Sequence, residues 1–246
     1  MESFQRSDFQ YVTRTATSSK RHYGQKRLQA PISQEHTAVG GKSLLVWTIE
    51  AARASGRITD YLVSSEDQEV LAVAKEYYAP TPFVRPRELA GDEVRNTDTL
   101  RHAMEFMDRA TGRPYDILIL LQPTCPVRDP THIDQAVERL WASDLDTAVS
   151  LKGPFKKRDP ILKAVRQEVV EEYVPLHDNS EPEPFYLYNA SIYAMKRAYF
   201  TTSGKFVSPR QVPLIMDQYH SIDIDTQADL LVAEAYLRHL GKVQDI

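Results

Sequence analysis

The chain has 246 residues, 42% hydrophobic and 26% charged, with 30 basic and 34 acidic side chains and a formal net charge of −4. That length and composition exclude wholesale disorder and allow a sizeable buried core. A single cysteine, Cys125, excludes an internal disulfide framework and most cysteine-based zinc sites, and no apolar run approaches the ~18 residues of a membrane span.

The first 27 residues lack the apolar core of a secretory signal, so the expected setting is soluble and cytoplasmic. Residues 1–42 hold seven basic and three acidic side chains, a net +4, which leaves −8 on the remaining 204. Such a leader suits a nucleic-acid arm, a phosphate-binding loop or no role at all. Few aromatics interleave with its cations, which argues against nucleic acid. Residues 9–13 (Phe9, Gln10, Tyr11, Val12, Thr13) make a poor buried strand.

Regular patterning begins near Ser43. Residues 43–55 read as a helix stopped by Gly56, 58–64 as a short strand, and 66–78 as a second helix with Val70, Leu71, Val73 and Ala74 on one face. A third helix covers 99–107. Residues 115–121 form a continuous apolar run, as in a strand buried on both faces of a parallel sheet. Pro123 and Pro126 end it, and a helix follows over 131–142, then a strand over 147–151. Five prolines between 152 and 185 interrupt the alternation and mark an excursion, a hairpin or lid. Strands over 188–194 and 221–225 and a helix over 226–240 complete the pattern. Strands alternating with helices imply an α/β fold with a mostly parallel sheet.

Four segments carry chemistry. Along 222–226, a strand would present Asp223 and Asp225 side by side while Ile222 and Ile224 bury. Adjacent carboxylates repel unless a cation sits between them, and Mg²⁺ bridging to phosphates suits the pair. A solvated Asp223 with Asp225 capping the next helix suits it equally. Gln122 and Thr124 follow the best buried strand, where open α/β sheets bind ligands, although an ordinary proline-rich turn has the same composition. Cys125 has no acid or histidine beside it in sequence and reads as a packed residue. Arg85 and Arg87, ahead of Asn96, suit phosphate or base contacts, or simple solvation. Asn189 and the tyrosines around it, Tyr193 included, suit a polyol or plain strand packing.

In order, these segments resemble the acylneuraminate cytidylyltransferases, the CMP-sialic acid synthetases. Arg85-Pro86-Arg87-Glu88-Leu89-Ala90-Gly91-Asp92 matches that family's Arg-Pro-x-Glu-Leu-Ala-x-Asp. Residues 120–128 match its Leu-Leu-Gln-Pro-Thr-Ser-Pro-x-Arg, with Cys125 for serine. Asn189-Ala190-Ser191-Ile192-Tyr193 matches Asn-Gly-Ala-Ile-Tyr, and Asp223-Ile224-Asp225-Thr226 matches Asp-Ile-Asp-Thr. The resemblance implies a Rossmann-like nucleotide-diphosphosugar transferase domain over 40–241, with a divergent segment at 1–39. It would join CTP to an acidic nine-carbon sugar and release pyrophosphate.

By the same resemblance, Arg85 and Asn96 lie near the nucleotide, Gln122 and Thr124 contact substrate, and Asn189 and Tyr193 meet the sugar. Asp223 and Asp225 hold Mg²⁺ and serve catalysis. The family's triphosphate loop, Ala-Arg-x-x-Ser-Lys-x-x-x-x-Lys-Asn, has a one-residue-longer counterpart in Ser19, Lys20 and Lys26, with Lys20 as the catalytic cation. Without its opening strand the sheet would show an uncovered edge. The alternative is a homologue that binds nucleotide or acid sugar without turnover. Lys156, Lys157, Arg158 and Lys163 are candidate cations for the sugar carboxylate, and the excursion at 152–185 is the expected homodimer interface. No nucleic acid or membrane partner is implied.

Overall fold

The computed structural model describes residues 9–14, 38–90, 94–155, 163–166, 168–172 and 185–244. Alternating β-rich and helix-forming segments run in chain order as β1 (Phe9–Arg14), a two-residue hairpin of β2 (Ala38–Val39) and β3 (Lys42–Ser43), α1 (Leu44–Ala54), β4 (Asp60–Ser64), α2 (Gln68–Glu76), α3 (Asn96–Thr111), β5 (Ile117–Leu121), α4 (Pro130–Trp141) and β6 (Thr147–Phe155). Within the excursion, the described residues pair as a hairpin, β7 (Lys163–Arg166) with β8 (Val169–Glu172). After it come β9 (Phe185–Lys196), α5 (Arg197–Ser203), β10 (Gln211–Met216) and α6 (Gln227–His239).

The main sheet has the order β10-β6-β9-β5-β1-β4. Period-two alternation in β5 explains its place at the centre. Ile117, Ile119 and Leu121 pack with α1 and α4 residues such as Ala52, Ile133 and Val137, while Leu118 and Leu120 meet Leu100 and Met104 of α3 on the other face. Every residue of β5 is buried, as the apolar run predicts. Four of the helices start at side-chain caps: Ser43 for α1, Asp67 for α2, Asp129 with Pro130 for α4, and Thr226 paired with Asp229 for α6. Each such cap contributes about 1 kcal/mol.

Four expectations are corrected. β1 is not missing from the sheet: it pairs in parallel with both β4 and β5, Thr13 lying opposite Val63 and Leu121. Two neighbouring strands supply the pairing that its polar sequence does not advertise, and no uncovered edge results there. β9 runs antiparallel to both β5 and β6, and the described residues between β6 and β9 form an antiparallel hairpin. Residues 221–225 are not a strand; the last strand of the sheet is β10, which contains Pro213 and lies at the edge, where a missing donor is tolerated. Finally, α1 ends at an extended Ser55 cap, not at Gly56.

Candidate active site at the strand ends

Parallel register brings the carboxyl ends of β1, β4 and β5 level, with Arg14 opposite Ser64 and Thr13 opposite Leu121. Beyond β5 the chain turns sharply through Gln122–Arg128. Arg128 holds this turn from inside: it is 2% exposed, and its guanidinium donates to the Gln122 carbonyl at 2.6 Å and to Ser191 Oγ at 3.0 Å. The Gln122 side chain remains half-buried and makes no hydrogen bond among the described residues. Thr124 is buried, and its carbonyl accepts the Ile224 N–H at 2.9 Å.

That one bond seats the Asp223–Asp225 segment. The expected alternation holds only in part: Ile224 is fully buried and Asp225 exposed, while Ile222 and Asp223 are both half-buried. Asp225 does not cap α6, a role taken by Thr226. Asp223 Oδ1 lies 3.8 Å from Cys125 Sγ, which also donates to the Asn189 carbonyl at 3.3 Å. Asn189 is 1% exposed; its amide donates to Ser221 Oγ at 3.1 Å, and its Oδ1 accepts from the Ser191 N–H at 3.2 Å. Thr124, Cys125, Asn189 and Asp223, from three distant stretches, therefore share one cluster. The next residue, Ala190, has φ +59°, a left-handed conformation at the position where the resembling motif carries glycine.

Arg85 is not a solvated loop residue. It is 1% exposed; its N–H donates to the Ser65 carbonyl at 2.9 Å, and its guanidinium forks onto the Glu66 carboxylate. Arg87, two residues on, is exposed. Asn96 opens α3, whose N-cap, Arg95, makes no side-chain capping bond. Buried polar atoms of Asn96, Thr97 and Thr99 in this first turn have no hydrogen-bond partner among the described residues. Unsatisfied buried groups cost about 1–3 kcal/mol each, so three in one turn point to a ligand that satisfies them. Tyr193 is 5% exposed, paired in register with Leu120 and Val149 and edge-on to Phe206 at 5.1 Å, and it packs in the same buried core cluster as Cys125 and Ala190. Ser19, Lys20 and Lys26 lie outside the described residues, as do Lys156, Lys157 and Arg158.

Asp223 and Asp225 supply two hard oxygen donors, and no group of three or more His, Cys, Asp or Glu able to hold a metal occurs among the described residues. The donor set fits Mg²⁺, which takes one or two carboxylates and completes its shell with phosphates and water. It does not fit a cage built wholly from protein. Beside the cluster, His132 and His220 stand edge to face at 4.9 Å, His220 Nδ1 lies 2.8 Å from Asp217, and burial lowers the His132 pKa to about 4. Arg128, Ser191, Ser221 and this imidazole pair escaped the sequence reading. Arg128 and Ser191 left a signal there, the one as the last residue of a motif whose prolines already mark a rigid turn, the other as the middle residue of the Asn189–Tyr193 motif.

A helix-flanked, mixed sheet with its polar cluster at the strand ends defines the chain as an α/β protein of the nucleotidyltransferase fold. A CMP:2-keto-3-deoxy-manno-octonic acid synthetase solved in complex with CTP matches it over 96% of this chain and 100% of that one, with a TM-score of 0.69 at 14% identity. The 4-diphosphocytidyl-2C-methyl-D-erythritol synthase of Anaerococcus prevotii matches over 94% and 96%, with a TM-score of 0.56 at 13% identity. The profile of the family described as cytidylyltransferase matches residues 37–235, and the chain belongs to that family.

Its curated relatives include the N-acylneuraminate cytidylyltransferase of Escherichia coli, 28% identical over 78% of this chain and 45% of that protein. The CMP-N,N'-diacetyllegionaminic acid synthase of Legionella pneumophila is 28% identical over 86% of this chain and 90% of that protein. A pseudaminic acid cytidylyltransferase of Campylobacter jejuni is 33% identical over 40% and 42%. The chain thus spans less than half the length of the E. coli relative and most of the Legionella one.

Proposed function

We propose that the chain is a nucleotidyltransferase that joins CTP to a sialic-acid-like nonulosonic acid, giving the CMP-sugar and pyrophosphate. The observation that carries this reading is the convergence of Thr124, Cys125, Asn189 and Asp223 at the strand ends, in a chain of the cytidylyltransferase family. The names of the relatives, which specify neuraminic, legionaminic and pseudaminic acids, support the sugar class.

In this reading the anomeric hydroxyl of the sugar attacks the α-phosphorus of CTP. The new O–P bond forms as the bridging P–O bond breaks, and pyrophosphate departs. Mg²⁺, when held by Asp223 and Asp225, offsets the charge that gathers on the phosphate oxygens. The chain's own groups do the rest. The first turn of α3, with Asn96, Thr97 and Thr99, offers hydrogen bonds to the nucleotide. The rigid Gln122 turn presents its amide to substrate, and a carboxylate of the aspartate pair accepts the hydroxyl proton. Arg85 keeps its place beside the nucleotide by way of Glu66. Ser19, Lys20 and Lys26 complete the reading as the triphosphate contacts, with Lys20 catalytic, while Asn189 and Tyr193 shape the sugar side. The protein acts in the cytoplasm as a homodimer joined through the excursion. No helix among the described residues is long and apolar enough to cross a membrane.

Release of pyrophosphate from CTP, with Mg²⁺ and each of N-acetylneuraminate, N,N'-diacetyllegionaminate and pseudaminate, is the test. Turnover with at least one acid is the expected result. Binding of CTP or an acid with no release from any of them would establish a ligand-binding homologue and overturn the enzymatic reading.

A further inference from the structure

A second feature adjoins the cluster through Ser221 and Ile222. Where β6 ends, a pocket of about 330 Å³ opens between Lys152, Phe155, Gln218, Ser221, Ile222 and Tyr236. Its volume falls at the small end of the ~300–1,000 Å³ range of ligand sites. Aromatic rings and Ile222 give it apolar walls, Gln218 and Ser221 give it neutral hydrogen-bonding groups, and no carboxylate lines it among the described residues. Lys152 is the only charged side chain among the described residues lining it. The lysine is half-buried and makes neither an ion pair nor a hydrogen bond among the described residues. A half-buried lysine that meets no counter-charge among the described residues is a site for an anion.

The pocket shares two residues with the surroundings of the cluster. Ser221 Oγ accepts the Asn189 amide at 3.1 Å, and Ile222 directly precedes Asp223. An anion held by Lys152 would therefore lie beside the segment that carries Asp223. In a 2-keto acid sugar the carboxyl carbon is bonded to the anomeric carbon. The cation for the carboxylate must then sit close to where the anomeric hydroxyl reacts.

We propose that this pocket receives the carboxylate end of the acid sugar, with Lys152 as its cationic partner and Gln218 and Ser221 as neutral contacts. The inference rests on the cytidylyltransferase reading and adds to it a specificity residue at a position the sequence motifs do not mark.

The test is calorimetric binding of N-acetylneuraminate, N,N'-diacetyllegionaminate and pseudaminate, each beside its methyl ester, to the full chain and to Lys152→Met and Lys152→Arg. For an acid that the wild type binds, Lys152→Met is expected to raise Kd roughly ten- to a hundredfold. The ester should bind the two proteins alike, Lys152→Arg should restore the preference for the acid, and CTP affinity should not change. If Lys152→Met binds the acid as the wild type does, or loses acid and ester equally, the assignment of Lys152 is overturned while the enzymatic reading stands. If the wild type neither binds nor turns over any of the acids, that reading fails and this one with it.

Discussion

The thiol of Cys125 lies 3.3 Å from the carbonyl oxygen of Asn189 and 3.8 Å from Oδ1 of Asp223, in a setting where it is 1% exposed. Burial, followed by the negative charge of Asp223, pushes its pKa far above the ordinary thiol value. Since only the thiolate attacks, native Cys125 is expected to resist iodoacetamide at pH 8, and labelling should accelerate sharply once urea unfolds the chain. As the chain's single cysteine it makes the readout unambiguous. Fast labelling of the folded protein would contradict the buried placement.

Asp223 and Asp225 can be tested apart from folding. In the proposed reaction, EDTA should stop pyrophosphate release and excess Mg²⁺ should restore it. Asp223→Asn is nearly isosteric and should lower kcat by about two orders of magnitude or more while the melting temperature stays close to wild type. An Asp223→Asn protein of undiminished kcat would remove Asp223 from the chemistry.

Arg85 and Glu66 form a pair in which the arginine side chain is 0% and the glutamate 21% exposed. Removing the glutamate takes away the carboxylate that meets this buried guanidinium. Glu66→Ala is expected to cost about 2–3 kcal/mol in urea unfolding, below the full loss for a wholly buried pair because Glu66 retains some solvent. A cost under about 0.5 kcal/mol, the usual size for a surface change, would show that the pair adds nothing.

His132 is held neutral by burial, then by the nearby His220, against the opposing pull of Asp129 and Asp217. Lys242 also faces it. Its pKa falls from 6.5 to about 4 on folding, so between these values the unfolded chain binds the proton and the folded one does not. Stability is therefore complete above pH 6.5 and declines as the pH falls toward 4, by up to about 3 kcal/mol. Asp129 and Asp217, both lowered below 3.8, lose their contributions only at more acidic pH. His132→Gln should flatten the decline in urea midpoint between pH 7 and pH 5. An unchanged slope would assign the decline to other groups.

Much of the fold was legible in the chain. The apolar run at 117–121, the helices that begin near Ser43, Glu66, Asp129 and Thr226, and the proline-marked interruption after β6 all follow from local patterning. Such patterning records which face of an element is apolar and where its ends are capped. The ordered motifs likewise pointed to the family that the profile over 37–235 establishes.

Other features exist only once distant segments meet. Neighbours in a sheet are chosen by pairing across sequence, so β1 could find a central position despite Gln10 and Thr13, and β9 could enter antiparallel between β5 and β6. Burial of a polar side chain depends on partners elsewhere in the chain. Arg85 becomes internal because Glu66 meets it, and Cys125 faces Asp223 because Ile224 is tied to Thr124. Sequence alone determined the succession of elements and the residues available for chemistry, since both are written in local spacing. Tertiary structure decided which of those residues stand together, because desolvation and charge pairing arise only where chain segments pack.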